Sequence, residues 1–185
     1  SCEKLRTVEM FDKLETIGAN AFSGCISLED LHIPNSLINV EYYAFSNCNR
    51  FDIYVDDIRV LTDIQYPENN AIEASIMNYA KNLYIDGVLT TELIIPDDVT
   101  SIAYCAFFGG KSITNVTFGK STQSIGVGAF CETGLTELTL PDTITSIGEY
   151  AFRNCKDLRK ITFGGGVDTL SYELFDDCTS LENIV

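Results

Sequence analysis

One frame of residue types recurs along this chain at an almost constant spacing, and it constrains the fold more than any other feature. An Ala-Phe pair occurs five times, and Leu174-Phe175 is an altered sixth copy. The five pairs end at Phe22, Phe45, Phe107, Phe130 and Phe152. In the regular parts, neighbouring phenylalanines are 22 or 23 residues apart. Such a spacing means that one structural unit repeats and stacks on its neighbours.

The fullest copies continue from Ala-Phe into Cys-x-x-Leu-x-x-Leu-x-Leu and end at a proline or glycine. In Leu138-Thr139-Leu140 the alternation directs both leucines to one face of a short strand and the threonine to the other. A period of about 20–29 residues with this leucine pattern is the signature of a leucine-rich repeat. We therefore expect a solenoid of about seven to eight coils. Short parallel strands form one face, and short helices or turns carrying Ala-Phe form the other.

The period breaks between residues 56 and 92. We interpret residues 1–55 and 93–185 as regular repeats of one domain, and residues 56–92 as an irregular repeat that keeps the solenoid continuous. The alternative is a protruding loop that contacts a partner, because long insertions are often functional. Just before the break, Tyr54 and Asp56 fall where the frame expects inward residues, which predicts that this strand is shifted by one residue.

Two local patterns are readable within the irregular stretch. Pro67 begins a weak helical pattern. One side of that helix would carry Ile72, Ile76 and either Tyr79 or Ala80. Further on, Asp86-Gly87 between apolar alternations predicts a β-hairpin within residues 83–95, whose second arm would run into the next repeat strand.

The whole frame, Ile-Gly-x-x-Ala-Phe-x-x-Cys-x-x-Leu-x-x-Leu-x-Leu-Pro, resembles the BspA-type leucine-rich repeat of surface and secreted proteins from bacteria and some protists. Residues 16–34 and 146–164 carry the frame most fully, and residues 82–96 resemble an insert that recurs in these proteins. Gly110 departs from the frame by replacing its cysteine. The resemblance implies adhesion or host-protein binding at a cell surface, but it supplies no site residues.

Seven cysteines raise the question of disulfides or metal binding. One repeat position is shared by Cys2, Cys25, Cys48, Cys155 and Cys178. Stacked coils would bring neighbours to about 5 Å but with parallel Cα–Cβ bonds, which is poor geometry for a disulfide. We therefore expect reduced thiols in the core, with disulfides as the alternative. Cys105 and Cys131 lie off the frame and are expected to be more exposed, and no Cys-x-x-Cys spacing suggests zinc.

The charge of the chain is strongly negative, with 12 basic against 27 acidic side chains and a formal net charge of −15. This field repels a phosphate backbone and an anionic lipid surface, so we expect neither nucleic acid nor a membrane as the partner. No apolar run approaches the roughly 20 residues that a membrane-spanning helix needs, so we expect no membrane insertion by this segment.

No arrangement of catalytic residues is recognisable. His32 is the only histidine, and neither a nucleophile nor an orienting acid accompanies it in the sequence. Three aspartate pairs could suggest calcium, but they differ in repeat position and lack the alternating ligands of a calcium loop. They are Asp56-Asp57, Asp97-Asp98 and Asp176-Asp177. We interpret them as solvated turn residues, and we expect no enzyme, cofactor or metal.

Solenoids bind partners along the outward face of their stacked strands. Here the alternation predicts a face that is short-chained, rich in threonine and mildly acidic, from Thr7 and Glu9 to Asn183. The predicted partner-binding residues are Asp30, His32, Glu92, Ile94, Asn115, Thr117, Glu137, Thr139, Lys160 and Thr162. Without tryptophan, tyrosine or arginine anchors, such a face predicts weak or multivalent binding.

These features together predict an extracellular or cell-surface module that binds or adheres to a host or extracellular-matrix protein. The alternative is a structural spacer that presents another domain. Both ends of the sequence fall inside a repeat, and a solenoid needs polar caps, so we expect a segment of a longer protein.

Overall fold

The computed structural model describes residues 1–67 and 71–185, and it is a solenoid of about eight coils, as the repeat predicts. The helices are α1 (Arg59–Asp63), α2 (Ala71–Ala74) and a 3₁₀ helix (Ile76–Tyr79). The strands are β1 (Thr7–Glu9), β2 (Thr16–Ile17), β3 (Asp30–Ile33), β4 (Asn39–Val40), β5 (Phe51–Val55), β6 (Ala80–Ile85), β7 (Val88–Leu89), β8 (Glu92–Ile94), β9 (Ser101–Ile102), β10 (Asn115–Thr117), β11 (Ser124–Ile125), β12 (Glu137–Thr139), β13 (Ser146–Ile147), β14 (Lys160–Thr162) and β15 (Asn183–Ile184). None of the helices in the described ranges is long and apolar enough to cross a membrane.

The strands form two walls, in which pairing between successive coils is parallel. The first wall contains the Leu-x-Leu strands, in the sheets β1-β3-β5-β6-β7, β8-β10 and β12-β14-β15. The second wall contains two-residue strands, in the sheets β2-β4 and β9-β11-β13. In the first wall, Leu31 pairs with Val8 on one side and Ile53 on the other. Inward residues therefore stack on inward residues from coil to coil.

The Ala-Phe segments are turns, and two residues in each adopt the left-handed conformation. One lies two positions before the phenylalanine and the other two positions after it. The first group is Asn20, Tyr43, Cys105, Gly128, Tyr150 and Glu173, and the second is Gly24, Asn47, Gly109, Glu132, Asn154 and Asp177. Backbone N–H groups of these turns then bond to the next coil, as when Phe130 donates to Ala151 O at 2.9 Å. Paired left-handed residues thus replace a helix on this side of the solenoid.

The phenylalanine rings stack through the interior. Phe107 and Phe130 have ring centroids 5.2 Å apart, and the series continues from Phe130 to Phe152 at 5.8 Å and to Phe175 at 6.0 Å. Phe107, Phe130 and Phe152 are fully buried. In the irregular coil Tyr79 takes the equivalent role, since its ring packs 6.3 Å from that of Phe45. Each ring covers its neighbour, which is why one coil cannot be stable alone.

The glycine of the Ile-Gly pair allows two coils to approach closely. A Cβ added to Gly148 would lie 2.4 Å from the backbone nitrogen of Val127 in the preceding coil, which no side chain can do without moving the backbone. Glycine therefore occupies this position because adjacent coils approach closely, and not because the turn needs a special backbone conformation.

The irregular stretch keeps the second wall continuous. Gln65 N–H donates to Ile38 O at 2.7 Å, and the next coil attaches through Ala103 N–H, which donates to Thr62 O at 2.9 Å. Helix α1 and the residues after it thus occupy the place of a regular coil between β4 and β9.

Two details of the irregular stretch differ from the sequence interpretation. The predicted start of the helical pattern includes residues 68–70, which lie outside the described residues. Beyond them, the helix over Ala71–Ala74 is followed by a separate 3₁₀ helix, so Ile72 is 44% exposed while Ile76 is fully buried. The expected common side of Ile72 and Ile76 is therefore wrong, because the change of helix type at Ser75 alters the rotation per residue.

The hairpin turn lies at Asp86-Gly87, both in the left-handed conformation, with β6 and β7 antiparallel on either side. Its second arm ends at Leu89 and does not continue into the next strand. Thr90 N–H donates to Leu83 O at 2.8 Å, and β8 then pairs with β10 instead. The prediction of one arm through residue 95 is wrong, because the chain has to leave an antiparallel pairing before it can rejoin the parallel wall.

Three of the five cysteines at the shared repeat position form a hydrogen bond to the preceding coil. The thiols of Cys48, Cys155 and Cys178 donate to the carbonyl oxygens of Phe22, Phe130 and Phe152, at 3.1, 3.2 and 3.0 Å. Cys25 and Cys155 are buried, Cys48 and Cys178 are partly buried, and Cys2 is exposed. The expectation of a core thiol is therefore wrong for Cys2.

The two cysteines off the frame are buried, at 1% exposure for Cys105 and 6% for Cys131. They form a small apolar cluster with Ala71 and Phe108. The expectation that they are more exposed is wrong, because α2 of the irregular coil covers them. Burial, the largest effect, raises the pKa of Cys131 to about 12 and also raises that of Cys105.

Candidate functional site: the outward sheet face

The outward side chains of the first sheet form two rows across its strands. We call the first the polar row, which consists of Thr7, Asp30, Asp52 and Asn82. The second runs through Glu9, His32, Tyr54, Tyr84 and Leu89. Both rows follow from the alternation within each strand, since the residues between them are the buried Leu31, Ile53 and Leu83.

Three consecutive members of the second row are aromatic and stacked. The rings of His32 and Tyr54 lie 4.4 Å apart and nearly parallel, at 6°, and those of Tyr54 and Tyr84 lie 4.7 Å apart at 11°. All three are partly exposed. We call these residues the aromatic stripe. Their separation matches the spacing of neighbouring strands, so the wall itself positions the rings.

The polar row places two carboxylates, those of Asp30 and Asp52, beside the middle of the aromatic stripe. Tyr54 donates its hydroxyl to Asp30 Oδ1 at 3.4 Å, and Asn82 donates to Asp52 Oδ1 at 2.9 Å. Partial burial first, and then the charges of Asp30 and Asp52, raise the pKa of Tyr54. The Tyr54 hydroxyl therefore remains protonated at neutral pH and can both donate and accept a hydrogen bond.

Tyr54 and Tyr84 are not among the residues that the sequence predicts for this face, and the expectation that the face lacks tyrosine is wrong. Ile53 rather than Tyr54 pairs with Leu31, so the one-residue shift predicted for this strand is confirmed and turns Tyr54 outward. A further irregularity between Phe51 and Asp52 sets the register of β6, which brings Tyr84 beside Tyr54. The alternation of Phe51, Ile53 and Val55 was the signal that could have identified the first of these tyrosines.

The predicted binding residues fall into separate parts of the wall. Asp30 and His32 lie in the first sheet, with the aromatic stripe. Glu92 and Ile94 pair with Asn115 and Thr117 in the sheet of β8 and β10. Glu137 and Thr139 pair with Lys160 and Thr162 in the sheet of β12 and β14. The hairpin arm β7 occupies the edge of β6, which is why the first sheet ends before β8.

A second interruption lies between β10 and β12, which adjoin without pairing. Val116 N–H bonds to the Oδ1 of Asn115 at 2.9 Å instead of to the next strand. A shallow cleft of about 390 Å³ opens at this seam, lined by Asn115, Thr117, Glu137 and Thr139 with Phe118 and Pro141. Four of the predicted residues therefore share one polar depression.

Each of the three aspartate pairs contributes at least one residue to an ion pair. Arg59 bridges Asp57 and Asp98 at 2.9 and 2.8 Å, and Lys120 binds Asp97 at 3.0 Å. The side chain of Arg59 lowers the pKa of Asp98, and hydrogen bonds from Lys120, first from its backbone N–H, lower that of Asp97. Over residues 1–67 and 71–185, no three His, Cys, Asp or Glu side chains form a group that could hold a metal ion.

The stacked coils, buried leucines and phenylalanine series define this molecule as a leucine-rich-repeat solenoid. The sequence matches the family described as BspA type leucine rich repeat region, in six copies over residues 1–83 and 80–185. The chain therefore belongs to the BspA-type leucine-rich-repeat family, as the frame suggested.

Solved structures from bacteria share the fold. A leucine-rich repeat protein from Bacteroides ovatus is 19% identical with a TM-score of 0.56, covering 99% of this chain and 55% of its own. A leucine rich cell surface protein from Faecalibacterium prausnitzii is 22% identical with a TM-score of 0.52, covering 99% and 60%. The pneumococcal vaccine antigen PcpA is 18% identical with a TM-score of 0.55, covering 98% and 56%.

At these identities the likeness shows the fold alone, and the chain spans a little over half the length of each of these proteins. No curated protein sequence matches the chain. The fold suggests protein–protein interaction or a surface role, since solenoids of this type typically serve as non-enzymatic binding scaffolds.

Proposed function

We propose that this chain is a cell-surface protein-binding module and that the outward sheet face is its binding surface. The observation that carries the proposal is the aromatic stripe. Three stacked rings on an exposed face contribute little to the core, yet tyrosine is among the residues that most often dominate binding energy. We therefore place the main contacts at His32, Tyr54 and Tyr84, and secondary contacts at the other outward residues.

The rigidity of the face supports the same function. Its rings are held by strands that pair on both sides, so little side-chain entropy is lost when a partner binds. Leu89, 47% exposed and paired with Tyr84, extends the row with an apolar side chain at the hairpin. The result is an apolar centre with a polar surround, which is the usual organisation of a protein interface.

The extracellular location and the partner class belong to the proposal as well. One structural neighbour is described as a cell surface protein and another as a vaccine antigen, which supports a position outside the cell. A host or extracellular-matrix protein is then the partner that such a module would meet. The polar C-terminal part of the face, which lacks aromatic anchors, would support the rival role of a spacer.

The test is surface plasmon resonance of the purified chain against a panel of extracellular-matrix and plasma proteins. A variant with Tyr54→Ser and Tyr84→Ser should lose at least about tenfold in affinity for any protein bound. The matched control is Thr139→Ala with Thr162→Ala, a pair on the same wall outside the stripe, which should stay within about twofold. Equal affinity of the tyrosine variant would reject the stripe as the site, and no saturable binding across the panel would favour the spacer.

A further inference from the structure

We infer that the aromatic stripe and the polar row together bind a positively charged, extended segment of the partner protein. This inference rests on the proposed function and specifies the chemistry of the partner. It is carried by the charges around the stripe, by the way its rings are covered, and by the lack of internal cations that would neutralise it.

Carboxylates lie on both sides of the stripe along the strand direction. Asp30 and Asp52 precede it in the polar row, and Glu9 lies at its end. Asp56 and Asp86, both exposed, follow the strands that carry Tyr54 and Tyr84. A chain with a formal net charge of −15 strengthens this local field, which favours a cationic partner and accelerates its association.

Over residues 1–67 and 71–185 these carboxylates have no cationic partner within the chain. Elsewhere Arg59, Lys120 and Arg153 each bind aspartates or glutamates. Within the part of the chain that the structure describes, no lysine or arginine forms an ion pair with the carboxylates around the stripe, which are Glu9, Asp30, Asp52, Asp56 and Asp86.

The basic residues closest in sequence to the two rows lie at or before the starts of the strands. Two of them bind other groups, and the third lies outside the paired residues of the rows. Arg6 binds Glu29 at 2.9 Å, and Arg50 donates to Ala80 O at 2.7 Å. Lys81 lies at the irregularity between β5 and β6, before the paired residues of the two rows. The middle of the face is therefore left as a negative surface.

The stacking of the rings determines how a cation would bind. His32, Tyr54 and Tyr84 cover each other's faces, so their edges and hydroxyl oxygens are the groups that point to solvent. Arginine and lysine combine an apolar stem with a charged head. The stem packs against the ring edges while the head donates to Asp30, Asp52 and the Tyr54 hydroxyl oxygen. An anionic segment would be repelled by the carboxylates, and a purely apolar segment would leave them without a hydrogen-bond donor.

The probe is a fluorescein-labelled peptide of alternating arginine and serine, about ten residues long so that it spans the three coils. Binding is followed by fluorescence anisotropy at about 50 and 300 mM NaCl. The test variant is Asp30→Asn with Asp52→Asn. The matched control is Glu149→Gln with Asp157→Asn, which removes the same charge at two exposed residues outside the strands of the first wall. Melting temperatures verify that all variants are folded.

We expect the wild-type protein and the control to bind within about twofold of each other, and the test variant to bind at least about tenfold more weakly. Asp52→Glu, which keeps the charge, should restore most of the affinity lost in Asp52→Asn. A glutamate–serine peptide of the same length should not bind. Equal weakening by both double variants would show binding to net charge alone, and would overturn the inference, as would absence of peptide binding.

The experiments can reject either proposal without rejecting the other. If the arginine–serine peptide does not bind but Tyr54→Ser with Tyr84→Ser still abolishes binding of a panel protein, the cationic partner is rejected and the binding face stands. If the tyrosine variant leaves panel binding unchanged, the binding face itself is rejected.

Discussion

At the scale of single residues, the phenylalanine at the centre of each coil contributes most to stability. Phe130 is fully buried and packs against Phe107, Phe152 and the edge of Phe118. Phe130→Ala should therefore lower the free energy of unfolding by about 3–5 kcal/mol, because the cavity lies between two rings that cannot collapse. Urea denaturation measures this change in the free energy of unfolding. Phe11→Ala, at a residue 67% exposed, is the control and should change stability by less than about 0.5 kcal/mol.

The left-handed residues make a second prediction at this scale. Glu132 has φ 59°, where a side chain is strained, so Glu132→Gly should raise the free energy of unfolding by about 0.5–1 kcal/mol. The same substitution at exposed Glu149, which lacks a positive φ, should lower it by a similar amount. Thermal unfolding of both variants checks the signs, and destabilisation by Glu132→Gly would mean that its side-chain contacts outweigh the backbone strain.

A third prediction at the scale of single residues concerns the buried cysteines. Alkylation requires a thiolate, and burial raises the pKa of both Cys105 and Cys131, the latter to about 12. With iodoacetamide at pH 8, exposed Cys2 should react first, and Cys105 and Cys131 only after unfolding. Peptide mass spectrometry measures the order. Labelling of Cys131 in the folded protein at the rate of Cys2 would contradict its burial beneath α2.

The environment of a residue could be predicted from the sequence only where that residue lies in a regular coil. Phe130, Leu138 and the outward Thr139 follow from the frame, because identical neighbours impose identical environments. The burial of Cys105 does not follow from the frame, since Cys105 packs against Ala71, which lies in a coil that lacks the frame. Tyr84 does not either, since its place beside Tyr54 requires a register irregularity that no spacing in the sequence reveals.

At the scale of elements, the seam between β10 and β12 is one of two breaks in the strand pairing of the first wall, the other lying between β7 and β8. Leu140 N–H donates to Thr162 O across the next pair of strands, so the N–H groups of Glu137 and Thr139 point the other way, towards the unpaired β10. Those amides should exchange with deuterium markedly faster than the amides of Lys160 and Thr162, which face β12. Exchange followed by mass spectrometry of the two segments tests it, and equal protection would mean that β10 and β12 pair in solution.

At the scale of the whole molecule, charge opposes the compact state. With 27 acidic against 12 basic side chains, screening should stabilise the fold. Raising NaCl from about 10 to 300 mM should raise the melting temperature by about 2–5 °C. Choline chloride at the same ionic strength should act equally, because screening depends on ionic strength and not on which cation is present. A rise in melting temperature with NaCl but not with choline chloride would indicate specific cation binding.

The direction of the hydrogen bonds has a mechanical consequence. Bonds between coils run along the axis of the solenoid, so tension between its ends loads them in line, one coil boundary after another. At most boundaries a ladder in each wall shares that load, but at the seam and between β7 and β8 the first wall contributes almost none. In single-molecule stretching, rupture should therefore begin at one of these two boundaries, at low force, and leave the aromatic stripe on a part that is still folded.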